Sequence, residues 1–90
     1  MRKSKKAENM VQNYTFNLEG IKMLYEDGYF NYEKAHERLE QDYKNFYTMV
    51  SQMFHYSLLS KNDWLYLTDK ANELYWDYWH KIADFKFRAV

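Results

Sequence analysis

Residues 64–87 read WLYLTDKANELYWDYWHKIADFKF. On a wheel at about 100° per residue, Trp64, Leu67, Leu74, Tyr75, Tyr78, Ile82 and Phe85 gather in one arc, the mark of an amphipathic helix. Asp69, Lys70, Glu73, Asp77, Lys81, Asp84 and Arg88 fill the charged side. Leu65, Trp76, Trp79 and Ala83 fall between, beside the apolar arc and clear of the charges. The segment predicts a helix over about Trp64–Phe87, with Trp64, Leu67, Ala71, Leu74, Tyr78, Ile82 and Phe85 turned inward.

The same period runs through the chain before it. Tyr32, Ala35, Leu39, Tyr43, Phe46, Val50 and Met53 predict a second helix over about Tyr32–Leu59, capped by Asn31 and about 42 Å long. Between the two lies Ser60-Lys61-Asn62-Asp63, where Ser60 and Asp63 are both plausible caps for the third helix. Met10, Tyr14, Leu18, Ile21 and Tyr25 predict a first helix over about Ala7–Glu26. Gly20 inside it costs roughly 1 kcal/mol relative to Ala. Asp27-Gly28 ends it, since Gly readily takes the left-handed conformation of a helix stop. Residues 1–6 read as a flexible basic tail and 7–90 as a single helical domain.

Short connections make successive helices antiparallel, so the expected fold is all-α: a three-helix up-down-up bundle with a long hairpin of helices two and three. Whether it dimerises is left open. With no Pro and only Gly20 and Gly28, little interrupts the helices. The lack of Cys excludes disulfides and thiolate chemistry. No apolar run approaches the roughly 20 residues that span a bilayer, and a cytoplasmic location is expected.

Aromatics make up 21% of the chain, with ten Tyr, six Phe and three Trp. A three-helix seam is narrow, so some of these rings are expected at the surface, where Tyr and Trp are enriched in protein contacts. Trp76, Trp79 and Leu65 on the third helix, with Phe16 and Met23 on the first, are the expected partner-binding residues. The plainer reading of the wide arc is that it packs between two neighbouring helices.

Chemistry is harder to place. His36, His55 and His80 stand in no nucleophile arrangement, and two scattered glycines cannot cradle phosphates. Glu33-Lys34-Ala35-His36 and Asp77-Tyr78-Trp79-His80 each set a carboxylate and an imidazole on one face, a spacing related to that of di-iron bundles. Those ligands, however, fall on charged or flanking arcs and not toward a core. The expectation is a non-enzyme without metal or cofactor, working by binding another protein or itself.

The Tyr-, Asn- and Lys-rich composition suits an accessory protein of a phage or other mobile element, a class that often blocks a host or defence protein by stoichiometric binding. The alternative is a small dimeric DNA- or RNA-binding protein using Arg2, Lys3, Lys5 and Lys6 on phosphates. Net charge is zero and no basic stripe follows the tail, which weighs against it.

Overall fold

Ser4 opens the first helix. In the computed structural model, which describes residues 4–88, its backbone is extended and its hydroxyl accepts the Ala7 N–H at 3.1 Å. That bond satisfies one of the amides a helix start leaves free. Helix α1 accordingly covers Lys5–Glu26. Of the tail expected over residues 1–6, Ser4 is the helix cap and Lys5 and Lys6 are helical, while Arg2 and Lys3 lie outside the described residues.

Gly28 ends α1 as its sequence implies. At φ 88° it lets its own N–H reach the Tyr25 carbonyl and the Tyr29 N–H reach the Leu24 carbonyl, a Schellman motif. Asn31 then caps α2, accepting the Lys34 N–H at 2.7 Å. Helix α2 covers Tyr32–His55 and stops four residues before the expected Leu59. The same Schellman pairing ends it, from Ser57 N–H to the Phe54 carbonyl and from Leu58 N–H to the Met53 carbonyl. Here the left-handed position, φ 62°, is held by Ser57.

A side chain at such a φ costs roughly 1–2 kcal/mol. Ser57→Gly is therefore expected to raise stability by about 0.5–1 kcal/mol, the remainder being offset by glycine's greater freedom in the unfolded chain. Urea melts at neutral pH check this; an unchanged midpoint would show that the turn is not left-handed in solution.

Helix α3 covers Lys61–Arg88, three residues earlier than its stripe announced. Ser60 is its cap, since its hydroxyl accepts the Asp63 N–H at 3.1 Å and its carbonyl the Trp64 N–H at 2.9 Å. Asp63 turns to α1 instead: its two carboxylate oxygens accept the Ser4 N–H at 3.1 Å and the Ser4 hydroxyl at 2.7 Å.

That contact sets the topology. The starts of α1 and α3 lie together, and further along the Tyr78 hydroxyl donates to Glu19 at 2.7 Å and Tyr25 meets Phe85 edge-on. Helices α1 and α3 are thus parallel and α2 runs against both, the up-down-up bundle. Helices α2 and α3 share the most extensive interface, and the α1–α2 seam is the loosest. The longest rod is α3, with 28 residues, rather than α2, with 24. The body measures 47 × 21 × 15 Å.

The core is built from the stripes. Tyr14, Leu18 and Ile21 meet Ala35, Leu39, Phe46 and Val50, closed by Leu67, Ala71, Tyr78 and Ile82. Met10, Tyr25, Tyr32, Tyr43, Met53, Trp64 and Leu74 pack against it, partly buried. Burial of apolar surface at about 25 cal/mol per Å² is the driving term for this arrangement. No described helix is long and apolar enough to cross a membrane.

Candidate functional site

The α2–α3 hairpin carries an aromatic surface whose register only the fold reveals. Along α2, Tyr32, His36, Tyr43 and Tyr47 follow one line at steps of four and seven. Antiparallel packing sets them against Trp79, Trp76 and Tyr75 of α3. Ring centroids lie 4.4 Å apart for Tyr32 and His36, 4.7 Å for His36 and Trp79, 6.0 Å for Trp79 and Trp76, and 5.2 Å for Trp76 and Tyr75. Tyr75 continues to Tyr43 at 5.0 Å and Tyr43 to Tyr47 at 6.0 Å. Tyr25 and Phe85 extend the other end, so nine rings run without a gap along the molecule. Neighbouring rings in such tilted and edge-on arrangements add to their area burial, so the surface is held in place by its own contacts.

Trp76 stands near the middle of this run and keeps 54% of its surface exposed. Trp79, one turn on, is half-buried because His36 covers one side of it. Leu65 is exposed eleven residues before Trp76, close to the same side of α3. The adjacent arc of the wheel therefore divides: Ala83 is buried, Trp79 is intermediate, and Trp76 and Leu65 face out.

Phe16 and Met23 are also exposed, at 79% and 53%, but on the outward side of α1. Phe16 borders the α1–α2 groove with Gly20, Leu24, Phe30 and Arg38. The structure thus does not bring the five expected contact residues together; it puts Trp76, Trp79 and Leu65 on α3 and Phe16 and Met23 elsewhere. Of the basic residues, Lys6 donates its ammonium to the Leu58 carbonyl at 3.2 Å and Lys5 begins α1, while Arg2 and Lys3 lie outside the described residues.

Between Tyr32, His36, Tyr75 and Trp79 the two helices leave an open groove of about 510 Å³, bordered by Glu33, Glu37, Glu40 and Lys86. Lys86 sets its ammonium 4.0 Å from the centre of the Tyr32 ring. On the other side of α2, Met10, Tyr14, Phe46, Met49 and Met53 line a second groove of similar size, against α1. Among the described residues no three His, Asp or Glu side chains form a metal-binding group. Asp77 of one carboxylate-x-x-His pair is bonded to Lys81 at 3.2 Å.

His36 is the residue whose part in this surface is least visible beforehand. Both of its ring nitrogens are buried without a hydrogen-bond partner among the described residues. Burial holds its pKa below the usual 6.5, Lys86 adds to the effect, and Glu33 opposes it. The neutral ring is the form that fits, so this contribution to stability is complete above about pH 6.5 and is lost as pH falls through the lower folded value. Urea melts at pH 7.5 and 5.5 are expected to show a loss in the wild type that His36→Phe lacks. A pH slope equal in the two proteins would place the titrating group elsewhere.

The chain matches no model of a known protein family, no curated protein and no solved structure.

Proposed function

We propose that the chain is a non-catalytic protein-binding module that docks through the α2–α3 aromatic face, with Trp76 as its anchor. The observation that carries this reading is a half-exposed indole near the centre of a continuous run of rings, where its neighbours hold it in one orientation. A rigid aromatic group loses little conformational freedom on binding, and Trp and Tyr at the centre of an interface contribute most of its affinity. Polar and charged residues around it, Asn72, Glu73, Glu40 and Lys44, would form the rim that sets partner choice. Occupying a host or defence protein in this way would make the module a steric inhibitor, the role its composition suggests.

The test compares wild type, Trp76→Ala and Phe16→Ala as immobilised baits. Trp76 is half-exposed and touches Tyr75 and Trp79, so Trp76→Ala should keep the fold and melt only a little below the wild type. A protein recovered by wild type and by Phe16→Ala, and reduced more than about tenfold by Trp76→Ala, supports the reading. Recovery that is unchanged by Trp76→Ala, or lost only with Phe16→Ala, removes the α2–α3 face as the docking surface. Light scattering on the same proteins reveals whether the partner is a second copy, by a doubled mass that falls to the monomer in Trp76→Ala.

A further inference from the structure

The groove beside Trp76 has a chemistry of its own. Its walls are the rings of Tyr32, Tyr75 and Trp79, and its border carries three carboxylates, Glu33, Glu37 and Glu40, against the single ammonium of Lys86. We infer that this groove receives an arginine side chain of the bound protein, its guanidinium lying on the rings and turned toward the glutamates. This rests on the docking reading above and names what that face selects.

Three observations carry it. First, the groove already holds a cation against a ring: the Lys86 ammonium sits 4.0 Å from the Tyr32 centroid, within the range of a cation–π contact. Second, the carboxylates follow one edge of α2 at positions 33, 37 and 40, so a cation entering the groove passes all three. Glu40 is bonded to Lys44 at 2.9 Å and Glu37 lies 3.9 Å from Lys34, but both pairs are exposed. Exposed pairs contribute little and exchange readily for a better-placed cation. Third, the imidazole between the rings is held neutral by its burial, so the floor adds no positive charge.

The arrangement of flat ring faces beside carboxylates favours guanidinium over ammonium, because a planar fork can stack and hydrogen-bond at once. It disfavours phosphate, which would face the same glutamates, and so weighs against a nucleic acid at this face.

The test uses the capped tripeptide acetyl-Gly-Arg-Gly-amide, with a second peptide carrying citrulline in place of arginine as its uncharged isostere. Titration of the full chain is followed by the indole N–H signals of Trp79 and Trp76, with Trp64 as a distant reference. Expected is a saturable shift of Trp79 with the arginine peptide and none with citrulline. Binding should weaken at least about fivefold in the Glu33→Gln, Glu37→Gln, Glu40→Gln triple variant and tighten about two- to threefold in Lys86→Met, where a competing cation is gone. A misfolded protein cannot produce the gain in Lys86→Met.

Equal shifts with arginine and citrulline, no shift with either, or unchanged affinity in the triple variant each overturn the assignment. The capture experiment keeps the two readings apart. A partner lost by Trp76→Ala but retained by the triple variant leaves the docking face standing and removes the guanidinium; a partner retained by Trp76→Ala removes the docking face itself.

Discussion

Asp63→Ala is expected to lower the stability of the bundle by about 3 kcal/mol, and its melting temperature by more than about 10 °C. Asp63 is only 8% exposed, and both of its oxygens are used. The Ser4 hydroxyl it accepts is the group that caps α1, which it orients so that the hydroxyl oxygen faces the Ala7 N–H. A charged acceptor in a partly buried bond contributes about 1.5–3 kcal/mol, and there are two such bonds here. The carboxylate also stands at the starts of two parallel helices, where a negative charge is favoured by both backbone dipoles.

Alanine removes all of this and leaves the Ser4 N–H without its acceptor. Asp63→Asn keeps the shape without the charge and should fall between. Ser4→Ala loses its own cap bond, about 1 kcal/mol, and the double variant should cost clearly less than the sum of the singles. Urea melts of the four proteins measure the coupling. A cost below 1 kcal/mol for Asp63→Ala would mean that the two helix starts are not tied together in solution.

The same residue shows where reading the chain stops. Ser60 and Asp63 both have cap chemistry, and the choice depends on Ser4 lying nearby, which is a tertiary fact. Helix bodies were legible because the stripes recur at helical period over many turns: every stripe residue lies in the core or packs on it except Phe85, expected inward but left 37% exposed near the end of α3. Two ends with the same hydrogen bonds differed in legibility for one reason. Gly28 announces a left-handed residue, whereas Ser57 adopts that conformation without any compositional sign. The start of α1 was hidden by Lys5 and Lys6, charged residues that precede the apolar stripe and read as tail although they are helical.

The candidate site was half legible for a related reason. A wheel places Trp76 and Trp79 beside the stripe, and their neighbouring positions differ by too little to separate them. What separates them is the α2–α3 register, which sets His36 against Trp79 and leaves Trp76 open. Tyr43 belonged to the α2 stripe and Tyr75 to the wider apolar arc of α3, so neither stood out as surface, and His36 was weighed only as a catalytic group or a metal ligand. Phe16 and Met23 lie off their stripe and are exposed, but that Phe16 borders a groove depends on where α2 packs against α1, and a single helix carries no such information.

Two buried tyrosines, treated alike, should respond with opposite sign. Tyr14 is 3% exposed, with its ring stacked on Phe46 at 4.4 Å, and its hydroxyl is buried with no hydrogen-bond partner among the described residues. Burial, and next the charge of Asp42, push its pKa well above the usual 10.0, as expected of a hydroxyl stripped of water. In the unfolded chain that hydroxyl is hydrated, so folding carries a desolvation cost of about 1–3 kcal/mol with nothing in return. Tyr14→Phe keeps the stacked ring and removes the group that is penalised. It is expected to stabilise the protein by about 2 kcal/mol and to raise the melting temperature by roughly 8 °C or more.

Tyr78 is buried as deeply, at 4%, but its hydroxyl donates to Glu19 at 2.7 Å. That bond holds the Glu19 carboxyl below its usual 4.5, ahead of the influence of Lys22 and Lys81. Tyr78→Phe should therefore cost about 1–2 kcal/mol at pH 7. A lowered carboxylate pKa contributes stability that is present above about 4.5 and lost as pH falls through the folded value, so the cost should shrink near pH 3. Thermal melts of the two variants at both pH values decide the matter. Losses of equal size in both proteins would mean that the Tyr14 hydroxyl finds a partner in solution, and would make ring packing alone the reason these tyrosines are buried.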